Sequence, residues 1–402
     1  MTMRLYETAG TALLVVLAAA LVGVLAVAVS TEGVGEPDFL VYWSAAHLLA
    51  GGDNPYDPVA LQSLQLQTRP DRGQEYGRAF ASWNPPWLLV ALLPFGLLPF
   101  ESAVPAWMLC NVALIAAASV LTWRMLARSS DKRGYLLVVT ACLWSGPALS
   151  AIVLGQVSSL ALVGLVLGAR WLHSGRDRLA GAALLLATIK PHVVYLVLFL
   201  LTLWVIRHRR WQVVCGMIAA IAISMAILWA RFPPWASAYF DLLTEHRSML
   251  FQYATSTIGG LAFALWGTHA FRFAGLLLIP SAIYLARIAD SLGWLTAMNV
   301  AMLVSVPLAL YGFNADQVVL LPAIIQIISW FWRRELRGRW AWVIGGGLTV
   351  VCAGSLAMLA VSYRYCYWFA LIPLALAGLY ALACKQRTPT PPASRVGAPN
   401  AG

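Results

Sequence analysis

A chain of 402 residues that is 61% hydrophobic and only 11% charged, with a mean hydropathy of +0.76, is not a soluble domain, whose charged share is about a quarter. Its apolar runs reach membrane-spanning length without the strict alternation of a transmembrane barrel, which leaves helices as the way to satisfy the backbone in lipid, so the fold class is an all-α polytopic membrane protein. The net charge of +11 does not indicate nucleic acid, because the basic residues gather in short segments between apolar runs, as the positive-inside rule describes.

Those segments orient the chain. Arg124, Arg128, Lys132 and Arg133, then Arg170, Arg176 and Arg178, then Arg207, Arg209 and Arg210, then Arg333, Arg334, Arg337 and Arg339, and last Lys385, Arg387 and Arg395 mark the cytoplasmic side. A first span is predicted over 11–29, beside Arg4, and no small-residue cleavage site follows it, so it reads as a retained anchor. The loop 30–86 then lies outside and carries Glu32, Glu36, Asp38, Asp53, Asp57, Asp71 and Glu75, seven of the 16 acidic residues. Residues 87–100 are too short and too proline-broken, at Pro94 and Pro99, for an ordinary span. They are expected to lie in the outer interface or to re-enter, ahead of a crossing at 102–124.

Further spans are predicted near 135–153, 156–172, 211–230, 270–287, 294–311, 316–332, 341–361 and 364–384. The stretch 179–206 joins two basic segments, so it must go out and return, leaving each arm short of a full bilayer. Its turn, Thr188-Ile-Lys-Pro-His-Val193, sets Lys190 and His192 in a proline-broken helix below the outer surface. An ionisable residue at that depth is a functional-site expectation. The count comes to about 12 transmembrane helices with both termini inside. They form one domain, 1–384, followed by a disordered cytoplasmic tail, 385–402, rich in Thr and Pro. The cysteines Cys110, Cys142, Cys215, Cys352, Cys366 and Cys384 lie mostly in apolar runs without paired spacing and read as small hydrophobes.

Four motifs follow one another along the chain. They are Asp38-Phe-Leu-Val-Tyr-Trp-Ser-Ala-Ala with Gly51-Gly-Asp-Asn-Pro-Tyr-Asp-Pro58, then Trp83-Asn-Pro-Pro-Trp-Leu-Leu-Val-Ala-Leu-Leu-Pro-Phe-Gly-Leu-Leu-Pro-Phe100, then Leu154-Gly-Gln-Val-Ser-Ser-Leu160, then Leu179-Ala-Gly with Ile189-Lys-Pro191. In that order they resemble glycosyltransferase family 87, over residues 36–330 and most strongly up to Trp211. Members of that family include bacterial α-mannosyltransferases acting on phosphatidylinositol mannosides and lipoglycans. The resemblance implies the GT-C membrane glycosyltransferase fold, with an outer-face loop carrying short interfacial helices. It also implies a polyprenyl-phosphate sugar as donor.

The same resemblance implies a general base early in the first outer loop, which here is Asp38. The base takes a proton from an acceptor hydroxyl while that oxygen attacks the anomeric carbon and polyprenyl phosphate departs. A phosphate leaves as a stable anion, so one carboxylate suffices where a glycosidase needs two. Attack opposite the phosphate inverts the anomeric centre. Positive charge for the donor phosphate is expected from Lys190, His192, Arg247 and Arg364. Tyr42, Trp43, Tyr56, Asn84, Gln156, His246 and Asp316 are expected near the substrates. Asn84-Pro85-Pro86 resembles a family Pro-Pro motif, with Asn where an aromatic usually stands. Asp316, in Tyr311-Gly-Phe-Asn-Ala-Asp316, resembles a late family motif.

Each residue also has a structural reading. Asp38 can cap the helix that follows it. Lys190 can snorkel to head groups, and Arg247 and Arg364 can touch lipid phosphates without specificity. Asp316 can cap its helix or orient a basic residue, and Gln156 and Ser158 can satisfy local backbone. Trp83, Trp87, Trp235, Tyr76 and Tyr239 fit sugar stacking and an interfacial aromatic belt alike. No Asp-x-Asp, Walker or His/Cys metal pattern occurs in the sequence, so neither a metal, another cofactor nor a soluble nucleotide-sugar donor is expected.

The expected function is transfer of mannose to a lipid-linked or envelope glycan, by a monomer in the bacterial inner membrane among its lipids, with the site on the periplasmic face. Transfer of another polyprenyl-linked sugar such as arabinose is the neighbouring alternative. A lipid-sugar flippase or secondary transporter is a different class. A transporter calls for internal repeats with paired broken helices, and no second copy of the Ile-Lys-Pro hairpin occurs.

Overall fold

The computed structural model describes residues 38–70, 80–127, 132–245, 255–336, 338–360 and 363–387, with Val16, Ala19, Ala20 and Gly23 before them. The predicted first span otherwise lies outside the described residues. Among the described residues the chain is helical, and extended residues pair only in a lone bridge between Leu336 and Arg387.

Within the stretch 30–86 the described residues form two short helices, α1 (Phe39–Gly51) and α2 (Pro58–Thr68). Pro58 opens α2, and Asp57 Oδ1 accepts from the N–H groups of Val59 at 2.9 Å and Ala60 at 3.4 Å. That is what an N-cap followed by proline does. Next comes α3 (Trp87–Gly96), whose 10 residues extend about 15 Å, half the hydrocarbon thickness. It lies along α1 instead of crossing. Trp43 Nε1 donates to Leu98 O at 3.1 Å, His47 Nδ1 is 2.8 Å from Gly96 O, and a Cβ on Gly96 would meet the Ala46 backbone at 2.6 Å.

The 28 residues of α4 (Phe100–Ala127) are about 42 Å long, enough to cross. After it come α5 (Lys132–Leu143), α6 (Gly146–Val153), α7 (Ser158–His173), α8 (Asp177–Ala187), α9 (Pro191–His208), α10 (Trp211–Arg231), α11 (Trp235–Glu245), α12 (Ile258–Trp266), α13 (Ile279–Leu292), α14 (Trp294–Ser305), α15 (Leu321–Trp332), α16 (Arg339–Met358) and α17 (Leu371–Gln386). Short 3-10 helices, Ala270–Leu278, Asn314–Leu320 and Tyr363–Ala370, lead into α13, α15 and α17. Among the described residues seven stretches are long and apolar enough to cross, or eight if α5 and α6 make one span. The expected dozen also counts the first span, α7, α8 and α14, of which the last three have 16, 11 and 12 residues.

Three expectations need correction. The span at 135–153 is two helices bent by 62°, because Ser145-Gly146-Pro147 interrupts the backbone ladder and Ser145 Oγ caps α6 from the Ala148 N–H. The arms of 179–206, both expected to fall short of the bilayer, are unequal: α8 has 11 residues, while α9 has 18 and is long enough to cross. Pro191 opens α9, and Arg207 and His208 extend its C-terminus, where cations suit the helix dipole. The tail does not begin at Lys385. Instead α17 runs through Gln386, and Arg387 pairs with Leu336 and lies 5.4 Å over the Trp330 ring; later residues fall outside the described ones.

Packing between spans relies on small residues, as membrane helices require. A Cβ on Gly181 of α8 would sit 1.8 Å from Val213 O of α10, and one on Gly216 would sit 2.0 Å from Arg178 O. At the basic end Arg210 pairs with Asp177, and Arg333 donates to Leu126 O at 3.0 Å. One part of each of the four motifs meets away from that end, where Gln156 bonds to Asp38 and Lys190, and Asn84 bonds to Ile189. All six cysteines are free thiols.

Candidate active site

Asp38 stands at the start of α1 with helical backbone angles, φ −90° and ψ −27°, and its side chain makes no capping hydrogen bond to that helix. A cap takes extended angles so that its side chain can reach the following N–H groups. Here the backbone N–H instead donates to Leu154 O at 3.0 Å. The carboxylate is half-buried, and its Oδ2 accepts from Gln156 Nε2 at 2.7 Å.

Gln156 owes its direction to Gly155, which takes φ 68°, a left-handed angle that glycine adopts without penalty. The turn between α6 and α7 is pinned by Asp38 on Leu154 O and by Trp107 Nε1, which donates to Gly155 O at 2.9 Å. Gln156 is thereby turned inward and is 4% exposed. Its Oε1 accepts from Lys190 Nζ at 2.7 Å and from the Tyr42 hydroxyl at 3.2 Å. Burial, with the Asp38 charge added, holds the Tyr42 phenol well above its ordinary pKa, so it stays a donor.

Lys190 precedes Pro191, and the pre-proline restriction puts it at φ −124°, ψ 69°, outside the helix. That break aims its side chain across the bundle, where Nζ also donates to Asp316 Oδ1 at 2.6 Å. The pair is buried, at 6% and 2% side-chain exposure. Asn84 Nδ2 fixes the turn by donating to Ile189 O at 3.0 Å. Asp316 Oδ1 accepts in addition from Ser158 Oγ at 2.7 Å, and its Oδ2 accepts from the Phe313 N–H at 2.9 Å. Asp316 thus both holds the start of its helix and orients a basic residue. Gln156 and Ser158 do not serve local backbone with their side chains; they reach Asp38, Lys190 and Asp316.

Polar atoms without partners adjoin this network. His192, in the first turn of α9, stacks on Tyr311 with ring centroids 3.8 Å apart, and its Nε2 is buried without a hydrogen-bond partner among the described residues. Asn314 Oδ1 and Gln317 Oε1 are in the same condition. A cleft of about 290 Å³ runs past Leu149, Val153, Leu154, Asn314, Leu359 and Phe369. A native interior rarely leaves such atoms unmatched unless a ligand or water serves them.

Other expected residues stand apart. Trp43 is buried against His47 and Phe100 and bonds to Leu98 O. Tyr56 packs on Tyr239 with centroids 5.3 Å apart, in the smaller apolar cluster around Leu49 and Leu61. His246 and Arg247 lie outside the described residues, and of Arg364 only the backbone, in Tyr363–Ala370, is described. Ser158 and Tyr311 belong to the site although sequence reasoning assigned them no role in it. Their signal was position: both fall in polar breaks between apolar runs.

The assembled groups are two carboxylates and one ammonium joined through an amide. Lys190 and Asp316 offset each other in the interior, while the half-buried Asp38 carboxylate is held by Gln156. The model of the family described as glycosyltransferase family 87 matches residues 83–315. No curated protein matches. The crystal structure of ArnT from Cupriavidus metallidurans in the apo state is similar at 15% identity with a TM-score of 0.39, covering 93% of this chain and 76% of that one. The form bound to undecaprenyl phosphate is similar at 14% identity with the same score and coverage. Because the matched stretch spans more than half of the 402 residues and holds Asn84, Gln156, Ser158 and Lys190, the chain belongs to glycosyltransferase family 87.

Proposed function

We propose that this multi-pass membrane glycosyltransferase transfers mannose from a polyprenyl phosphate to a hydroxyl of a lipid-linked or envelope glycan, on the periplasmic face of a bacterial inner membrane. The family supports the reaction class, and one observation carries the assignment of the base. The Asp38 carboxylate is not consumed in capping α1 but is held by Gln156. In the proposed step the acceptor oxygen forms its bond to the anomeric carbon as its proton passes to Asp38. The bond from that carbon to the phosphate oxygen breaks, and its electron pair leaves with polyprenyl phosphate, inverting the centre.

Lys190 commits two of its ammonium hydrogens, to Asp316 and Gln156, and keeps a third for a donor phosphate oxygen. One ammonium facing two carboxylates does not by itself balance a departing dianion. Further cations are therefore assigned to the donor phosphate, Arg247 and Arg364 with His246 beside Arg247, while the His192 ring offers an N–H donor. No metal enters the step.

The test is incubation of the purified protein with labelled polyprenyl-phosphate-mannose and a membrane lipid extract. A labelled glycolipid formed by the wild type is the expected result. Transfer from the arabinose donor alone would replace mannose, and no transfer from either donor, with movement of intact lipid-sugar across vesicles, would replace the enzyme by a flippase.

A further inference from the structure

We infer that Gln156 is the positioning residue of the base: its amide holds the Asp38 carboxylate in place, backed by the Lys190–Asp316 pair. The inference rests on the transferase reading but concerns a different residue. Both ends of the amide are committed, with Nε2 on Asp38 Oδ2 at 2.7 Å and Oε1 under Lys190 Nζ at 2.7 Å and the Tyr42 hydroxyl at 3.2 Å. This settles which end faces the carboxylate, because two donors converge on the other end and only the NH₂ can face an ionised carboxylate. The side chain is 4% exposed, so no water competes for either end.

The order of the chain of bonds has a chemical consequence. Lys190 pulls on the amide oxygen, which polarises the NH₂ toward Asp38, so a distant positive charge acts on the carboxylate without touching it. A carboxylate that receives such a bond is favoured in its charged form, the form a general base needs before the acceptor hydroxyl arrives. Among the described residues, the titratable groups facing this arrangement include Tyr42 on α1, Lys190 and His192 at the α8–α9 turn, and Tyr311 and Asp316 around the 3-10 helix Asn314–Leu320. Lys190 is the cation among them that touches the amide.

One substitution separates positioning from mere packing. Gln156→Glu keeps the size and the acceptor for Lys190 and Tyr42 but replaces the donor toward Asp38 by a second carboxylate. Gln156→Met removes both polar ends at similar volume and serves as the control for packing. With wild-type protein active on the polyprenyl-phosphate donor, Gln156→Glu should lower kcat by about 10–100-fold, the scale of disturbed general-base catalysis, and leave KM within a few-fold. The acid limb of its pH–rate profile should move up by about one unit or more. Gln156→Met should show a smaller upward movement. Near wild-type kcat and an unmoved limb in Gln156→Glu would overturn the inference.

A readout independent of turnover keeps the two readings separable. The carboxyl stretch that disappears in Asp38→Asn can be followed by difference infrared titration of the full chain in detergent. Its midpoint should rise in Gln156→Glu even if the wild type transfers no sugar from the donors tried, which would fault the assigned reaction alone. An unchanged midpoint in folded Gln156→Glu refutes the positioning role whatever the activity.

Discussion

Two buried polar networks cross this helical bundle, and they are built on opposite plans. In the basic half, Gln326 Oε1 accepts from Asn299 Nδ2 and the Tyr380 hydroxyl, each at 2.6 Å, while its Nε2 donates to Thr296 Oγ1 at 2.8 Å. These residues are uncharged, sit on the continuous helices α14, α15 and α17, and leave no buried polar atom of theirs without a partner. The network of Asp38, Gln156, Lys190 and Asp316, the outer one on the topology proposed above, is charged, stands on helix ends and breaks, and is bordered by atoms of His192, Asn314 and Gln317 that have no hydrogen-bond partner among the described residues. The first network is complete as folded and fastens three helices. The second has capacity left over, which is the property of a site awaiting a ligand.

The sharpest way to test the contrast is to neutralise one atom group in the outer network. Asp38→Asn keeps the shape of the side chain and removes its basicity, so kcat should fall by at least about a hundredfold while thermal unfolding in detergent stays near that of the wild type. Transfer at near wild-type rate would remove Asp38 from the role of base.

The ion pair is the next largest effect, and it falls on stability and activity together. Lys190→Met leaves Asp316 buried at 2% exposure without its ammonium, which should cost about 3–5 kcal/mol. Adding Asp316→Asn removes the stranded charge, so the double variant should recover much of the stability but not the activity. Lys190→Arg should retain part of the donor use, because charge on that turn is the chief requirement. If the double variant turned sugar over as well as the wild type does, Lys190 would be a structural cation and the donor phosphate would have to be sought at Arg247 or Arg364.

How far these networks can be read from sequence follows from their construction. The spans are legible as apolar runs, and Asp38 and Lys190 stand out because each is an ionisable group at the edge of such a run. The bonds between them are not legible. Gln156 lies 118 residues from Asp38 and Lys190 lies 126 from Asp316, so nothing local in the chain says which polar breaks converge. Gln156 in particular reads as a residue serving its own turn, and only the left-handed Gly155 and the two clamps on its carbonyl and that of Leu154 direct it inward. The bend between α5 and α6 hides for a similar reason: Ser-Gly-Pro signals a break, but its angle is set by packing against α16, where Gly146 N–H donates to Ser355 Oγ at 3.1 Å.

The inner network gives the converse expectation. Gln326→Leu strands the Asn299 amide and the Tyr380 hydroxyl, so it should destabilise the protein by about 1–3 kcal/mol and leave kcat on the polyprenyl-phosphate donor unchanged. A specific loss of kcat in a stable Gln326→Leu protein would erase the distinction between the two networks.

The smallest perturbation tests which side of the membrane each network faces. Ser63 is exposed on α2, next to the outer network in the chain, and Ser174 is exposed in the basic turn between α7 and α8 at the far end. Replacing either by cysteine, in a background with the six native cysteines changed to serine or alanine, alters no buried contact. Stability relative to that background should move by less than about 0.5 kcal/mol. By the positive-inside rule, the cluster Arg170, Arg176 and Arg178 is expected on the cytoplasmic side and the stretch 30–86 on the other. In intact spheroplasts a membrane-impermeant thiol reagent should therefore label Ser63→Cys, and label Ser174→Cys only after the membrane is opened. The reverse pattern would carry Asp38 to the cytoplasmic face, where a nucleotide-sugar donor is within reach. The outer network would then have to be explained as a site for a different substrate, although its internal geometry would be unchanged.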